Sequence, residues 1–257
     1  MSTIHDTAIV SPKAELADDV EIGPFTIIED NVTIGSGTRV ASTALIASGA
    51  TLGKNVAVHH GAVIGTVPQD LKFAGEITQV VIGDGTVVRE YATVNRGTKA
   101  LGTTTVGRDC LLMAYSHVAH DCIIGDGVIM ANSVNLAGHI EIGDYAIIGG
   151  IVPVHQFVKI GAHSMIGGGF RVPQDVCPFA LVGGYPLKVT GLNSIGLRRR
   201  GFGREVRGEL EKTFKLLFFS GLNTTQALER INDEVELIPE VQMILDFIAA
   251  SNRGIVK

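Results

Sequence analysis

The stretch Leu112–Met130, LMAYSHVAHDCIIGDGVIM, decides how the rest of the chain is read. Leu112, Val118, Ile124 and Met130 are aliphatic and six residues apart. Working outward, every sixth residue from Ile4 to Val172 gives 29 positions, and 26 of them are Val, Ile, Leu or Met. Asp70, Glu76 and Ala100 are the exceptions. The next residue is often glycine, as at Gly35, Gly83, Gly125 and Gly143. The residue four places on is usually small or β-branched, as at Thr26, Ala62, Ser116 and Val134. A period of six is neither the 3.6 of a helix nor the 2 of an alternating strand. It predicts a coil of three short strands, each six residues long with its turn. The aliphatic residues point into a triangular core, residue i stacks on i+18, and glycine relieves the backbone at each corner. Each coil is stabilised by its neighbours, so ladders of aliphatic side chains replace a globular core.

Two segments break the repeat, TVPQDLKFAGEITQ at 66–79 and a second at about 98–105. They read as loops leaving the prism, and loops on a rigid scaffold tend to carry function. After Val172 the period fails, and Pro173, Pro178 and Pro186 mark an irregular exit. From about Leu197 the spacing turns helical: Val206, Leu210, Phe214, Leu217 and Phe218 share a face. Asn223 or Thr224 can cap a second helix and Pro239 can open a third. The reading is a mainly β domain over 1–190 and a helical domain over 191–257. About three helices between 197 and 252 would cover the open end of the prism, which otherwise exposes strand edges.

Composition sets the outer limits. The chain has 257 residues, is 46% hydrophobic with 32 Gly, and has no Trp. No apolar run reaches about 18 residues, so no membrane insertion is expected. The N-terminal MSTIHDTAIVSPKAE lacks the basic and apolar regions of a secretory leader. Cys110, Cys122 and Cys177 are odd in number, without CxxC spacing, and read as free thiols in a reducing cytoplasm. A net charge of −5 argues against general binding of nucleic acid.

The same central stretch carries chemistry. His117, His120 and Asp121 fall within five residues. His120 and Asp121 take the third and fourth places of their hexad, at a corner and pointing outward. A His–Asp pair in a groove suits a general base with its orienting carboxylate. Stacking by 18 places Gly138 over His120, where its N–H is a candidate donor to an oxyanion. The same count puts His139 over Asp121. An isolated HxxHD is more often decoration on a turn; its context changes that reading.

The run HVAHDC, with DLKFAGE before it and LAGH, IIGG, VHQF, IGAHSMIGG and GLRRRGF after it, resembles the UDP-N-acetylglucosamine O-acyltransferases. These are hexapeptide-repeat enzymes of the first acyl transfer in lipid A synthesis. The motifs stand in family order over nearly the whole chain. The resemblance implies a left-handed parallel β-helix, although ordinary crossovers are right-handed. It implies a cytoplasmic homotrimer with active sites between subunits. The partners are UDP-N-acetylglucosamine and an acyl carrier protein whose phosphopantetheine bears the acyl group. No metal or tightly bound cofactor is implied. It makes His120 the general base oriented by Asp121, and gives the sugar nucleotide to Gln69, Asp70 and Lys72. His117 and His139 match residues lining the groove, and His155 and Gln156 a pair near the nucleotide. Asn193, Arg199 and Arg200 match residues reaching the diphosphate from the neighbouring subunit. The arginines read as a helix start, where positive charge is unfavourable, so an anionic partner explains them better. Gly168 matches the position that limits acyl length, and glycine there implies a long 3-hydroxyacyl chain; a plain corner Gly167-Gly168-Gly169 is the even alternative. His59, His60 and His163 read as surface residues. Ile195 and Asn95 depart from the family pattern, where an acidic residue and a histidine are expected.

Three other readings compete. A γ-class carbonic anhydrase-like lyase would need His117, His120 and His139 around zinc, but stacking sets Asn135 and Gly138 over the first two. Another hexapeptide transferase could use acetyl-CoA, or act later in the same pathway as an N-acyltransferase; the latter would usually carry an extra N-terminal nucleotide-binding domain, and this chain enters the repeat at Ile4. A non-enzymatic scaffold explains the repeat but not the ordered motifs.

Overall fold

A computed structural model describes residues 2–257. The repeat forms three flat faces of short parallel strands, mostly two residues each, wound as a left-handed parallel β-helix. Consecutive coils stack in the expected register: Ile4 pairs with Ile22, Val118 with Leu136, Ile142 with Ile160. The aliphatic ladders are buried throughout, from Ile22 to Val172. The three exceptions to the count fall in the two insertions. Ala57 pairs with Val87, 30 residues on in place of 18, and Thr93 with His117, 24 on. The insertions are therefore 12 and 6 residues long, and the six-register survives both.

The corner chemistry differs from the expectation. With the exception of Gly65 (φ 88°), at the edge of the first insertion, the glycine after an aliphatic residue does not supply a left-handed turn. The left-handed residue is the third after the aliphatic one, and most of these are not glycine, among them Asn55 (φ 54°), Tyr115 (62°), Asp121 (58°), His139 (62°) and Phe157 (63°). The first-place glycines are required for a different reason. A Cβ on Gly35 would lie 2.6 Å from the Gly53 carbonyl oxygen, and one on Gly83 2.6 Å from the Gly107 carbonyl. The backbones of adjacent coils touch there, so no side chain fits.

The last coil passes into an antiparallel hairpin, Ala180–Gly183 with Lys188–Leu192. Four helices follow, not three: α1 (Ser194–Arg199), α2 (Arg204–Phe218), α3 (Thr224–Glu234) and α4 (Pro239–Ala249). Asn223 caps α3 in a reciprocal pair with Gln226, and Pro239 takes the first turn of α4. Leu197, Leu210, Phe214 and Ile244 continue the same buried cluster as the last aliphatic rungs. The tail then returns: Asp175 pairs with Ile255, and Ser251 Oγ donates to Asp175 at 2.6 Å. The short α1 corrects the reading of Arg198–Arg200. Arg198 and Arg199 lie in its last turn, where positive charge is favourable. Their electrostatic need for an anionic partner therefore disappears.

Candidate active site

A groove of about 800 Å³ runs along the face that carries His117, Asn135 and Pro153. Gln69, Asp70 and Lys72 from the 12-residue insertion line one wall; His117, His120, Gly138, His139, Gln156 and Phe157 line the other. Eight residues singled out from sequence thus meet in one place. His155 has its Nδ1 on the Gln156 carbonyl at 3.0 Å and lies outside the lining, as do Asn193, Arg199, Arg200 and Gly168. Both ends of the Asn193 amide are engaged within the chain: Oδ1 accepts from the Gly196 N–H, and Nδ2 donates to the His163 carbonyl at 2.9 Å. The Arg200 guanidinium lies 4.3 Å over the Tyr145 ring. A Cβ on Gly168 would meet the Gly150 carbonyl oxygen at 3.1 Å.

His120 Nδ1 lies 2.9 Å from Asp121 Oδ2. A carboxylate accepts only, so Nδ1 carries a proton, and in the neutral imidazole the lone pair is on Nε2. Among the described residues Nε2 has no partner. Gly138 packs on that edge: a Cβ there would lie 2.6 Å from His120 Cε1 and 2.7 Å from Nε2. The Gly138 N–H makes no hydrogen bond among the described residues. The His139 ring meets His120 edge-on at 5.0 Å and stacks on Phe157 at 4.6 Å. Its Nε2 is 3.8 Å from Asp121 Oδ2, beyond hydrogen-bond range.

Asp121 is not on the surface of the corner. Its side chain is wholly buried. Oδ1 accepts from the N–H groups of Thr98 and Leu101 at 3.0 and 3.2 Å, and Oδ2 from the Thr98 hydroxyl at 2.6 Å. Burial alone would push its carboxyl up; the bonds from Thr98, His120 and Leu101 outweigh this and hold it below the ordinary carboxylate range. His117, bonded to Thr93 Oγ1 at 2.7 Å, is pushed down by burial and then by neighbouring His120. His139 is pushed down by burial, with Asp121 opposing. These two rings therefore favour the neutral form and offer hydrogen bonds rather than charge.

His120, Asp121 and His139 are close enough to suggest a metal centre. The donor set argues otherwise. Four hydrogen bonds already fill the two Asp121 oxygens, which have about four lone-pair sites between them. A cation would have to displace them. The three cysteines are buried and free, with burial pushing Cys122 and Cys177 up to about 12. They are not nucleophiles.

One departure from the family pattern lies away from the groove, and one position differs from its reading in the sequence. Asn95 is buried at the root of the first insertion, where its Nδ2 donates to Thr66 Oγ1 at 3.0 Å; it does not line the groove. His163 is not a surface residue: its ring stacks between Tyr145 and Phe179, and burial and then Arg200 push it below the usual histidine range. Thr98 was missed, because a threonine in an insertion gives no sign of which carboxylate it will meet.

The match to known proteins spans the whole chain. The family described as UDP N-acetylglucosamine O-acyltransferase, domain 2, matches residues 175–256, and bacterial transferase hexapeptide (six repeats) matches 103–138. A relative from Alkalilimnicola ehrlichii, named acyl-[acyl-carrier-protein]–UDP-N-acetylglucosamine O-acyltransferase, is 48% identical over 258 residues, with all of both chains covered. The chain belongs to the UDP-N-acetylglucosamine O-acyltransferase family. A relative of the same name from Thermodesulfovibrio yellowstonii is 47% identical, again over the full length of both chains. The solved family member from Bacteroides fragilis superposes with a TM-score of 0.98 at 44% identity, covering 99% of this chain and 100% of that one. Family membership thus extends from the first coil to the C-terminal helices. No helix is long and apolar enough to cross a membrane among the described residues.

Proposed function

We propose that this chain transfers a 3-hydroxyacyl group from acyl carrier protein to the 3-hydroxyl of UDP-N-acetylglucosamine, the first step of lipid A synthesis. The observation that carries the reading is the His120–Asp121 pair in the groove, with Nε2 unpartnered and packed against Gly138, whose N–H is also unbonded among the described residues. As the sugar hydroxyl attacks the thioester carbonyl, its proton passes to Nε2. Asp121, fixed on Nδ1, orients the ring and stabilises the imidazolium. The carbonyl oxygen becomes an oxyanion facing the Gly138 N–H. Collapse expels the phosphopantetheine thiolate, which takes the proton back from His120. The scheme needs no metal and no tightly bound cofactor. Gln69, Asp70, Lys72, His117, His139 and Gln156 would hold the sugar nucleotide.

His155, Asn193, Arg199, Arg200 and Gly168 lie outside this groove in their own chain. In our reading they serve the groove of the next subunit in a cytoplasmic homotrimer. Asn193 then acts by holding α1, and with it Arg199 and Arg200, in place. Gly168 leaves room for a long acyl chain. The test is a transfer assay with UDP-N-acetylglucosamine, its 3-amino analogue, and a panel of 3-hydroxyacyl carrier proteins. His120→Ala should lose about 10²–10⁴ in rate while the trimer persists. Wild type inactive with every acyl chain and both acceptors would sink the proposal.

A further inference from the structure

The six-residue insertion looks like an idle loop, yet its hydrogen bonds point inward. Gly102 N–H closes it on the Thr98 carbonyl at 2.7 Å. Gly97 N–H donates to Gln79 O, and Gln79 N–H to Gly102 O, at 3.0 and 2.9 Å. Gly97 has no room for a side chain, since a Cβ would lie 2.4 Å from Thr103 N. The closed loop presents three donors to one place: the Thr98 N–H, the Thr98 hydroxyl and the Leu101 N–H all reach Asp121. Thr104 adds a support from below, its Oγ1 accepting the Asp121 N–H at 2.8 Å and holding that residue in its left-handed turn. Asp121 is thus solvated by protein in place of water. A carboxylate taken out of water without such donors would sit protonated, and a carboxylic acid would leave His120 free to choose either tautomer.

Resting on the assignment of His120 as general base, we propose that Thr98 is a positioning residue: its hydroxyl and amide, with the Leu101 amide, hold the Asp121 carboxylate against His120 Nδ1 so that Nε2 faces the groove with its lone pair. Thr98 touches no substrate. It acts through Asp121, and Asp121 acts through His120. Of the titratable groups around the pair, His139 approaches Asp121 from the next coil, His117 lies near His120, Asp70 lines the groove, and Glu141 lines the adjoining space.

The experiment compares wild type, Thr98→Val and Thr98→Ser as intact trimers. One arm measures turnover with a 3-hydroxyacyl carrier protein and UDP-N-acetylglucosamine. The other reads the His120 tautomer by nitrogen NMR of histidine-labelled protein, with His120→Gln used to assign the ring. A hydrogen bond to a charged group is worth enough that Thr98→Val should lower kcat about 10–100-fold. The KM for the nucleotide should stay within about twofold, and Thr98→Ser should recover most of the rate. The wild-type ring should show a protonated Nδ1, and the valine variant a mixture of tautomers. Thr98→Ala serves as a second variant should valine prevent folding. Unchanged turnover in Thr98→Val, or equal losses in the valine and serine variants with an unchanged tautomer, would overturn the proposal. The tautomer is read without turnover, so an inactive wild type would undo the functional reading and leave the positioning test intact.

Discussion

Gly138→Ala is the sharpest probe of the site. Gly138 is not in the left-handed region, so alanine there strains no backbone dihedral. What it meets is the proposed base, His120. The new Cβ would lie 2.6 Å from His120 Cε1 and 2.7 Å from Nε2, against an ordinary contact of at least about 3.4 Å. The imidazole is the movable partner, and it must retreat by nearly 1 Å. Retreat lengthens the 2.9 Å bond to Asp121 and carries Nε2 from its place beside the Gly138 N–H. A misplacement of about 1 Å can cost about 10²-fold in rate. Overpacking against a ring that can yield should cost stability no more than about 1 kcal/mol, the low end for such changes. The expected result is kcat/KM down about 100-fold, the melting temperature shifted by a few degrees at most, and the oligomeric state unchanged. The assay is carrier-protein-dependent transfer alongside thermal unfolding of the same samples. Wild-type kcat/KM in this variant would refute the placement of the reacting atoms between His120 and Gly138.

Three further outcomes follow from the same geometry. Gly83→Ala, whose Cβ would strike the Gly107 carbonyl, should destabilise by about 3 kcal/mol, whereas Gly208→Ala, in open space on α2, should stabilise by about 0.5–1 kcal/mol; denaturant unfolding of both decides whether the first-place glycines are there for close approach. Arg96 reaches the Ser48 carbonyl at 3.1 Å and lies 5.6 Å from the Phe73 ring, pinning the insertion that carries Gln69 and Lys72. Arg96→Gln should raise the KM for the nucleotide about 3–10-fold, as expected for a lost cation–π contact, with kcat nearly unchanged in steady-state kinetics. His163 is held below its ordinary range by burial and Arg200. A histidine whose folded pKa is lowered stabilises fully above its unfolded pKa of about 6.5, and that share is lost as pH falls toward the folded value. Melting temperatures at pH 7.5 and 5.5 should therefore fall on acidification, with His117 and His139 contributing in the same direction. The fall should be smaller in His163→Asn, and an equally steep fall there would rule out the stacked ring as a source.

The fold was legible because a β-helix repeats its reason for folding at every turn. One aliphatic residue per strand is enough, and each restates the last. Even the insertions left the count intact, because they are 12 and 6 residues long; a loop of seven would have hidden the second half from a search by sixes. The roles within a coil were less legible. A glycine after each aliphatic residue looks like conformational relief, and only the stacked coil reveals that it is clearance for the next backbone. The left-handed corners went unnoticed because Tyr115, Asp121 and Phe157 occupy them, and side chains rarely announce that conformation.

The site divides along the same line. Residues that project from successive coils into one groove, such as His117, His120, Gly138 and His139, follow from counting by 18, and the count placed them correctly. Residues that act through an insertion do not follow from any count. Thr98 lies 23 residues before Asp121, in a segment whose composition says only that it leaves the prism. Its function is set by where the loop closes, which depends on Gly97, Gly102 and Gln79 together. The carboxylate was therefore found as chemistry and missed as a burial problem. A corner aspartate in a narrow aliphatic prism must either face water or be given donors. Its full burial implies that the chain supplies a second segment to solvate it, and the six-residue insertion is that segment.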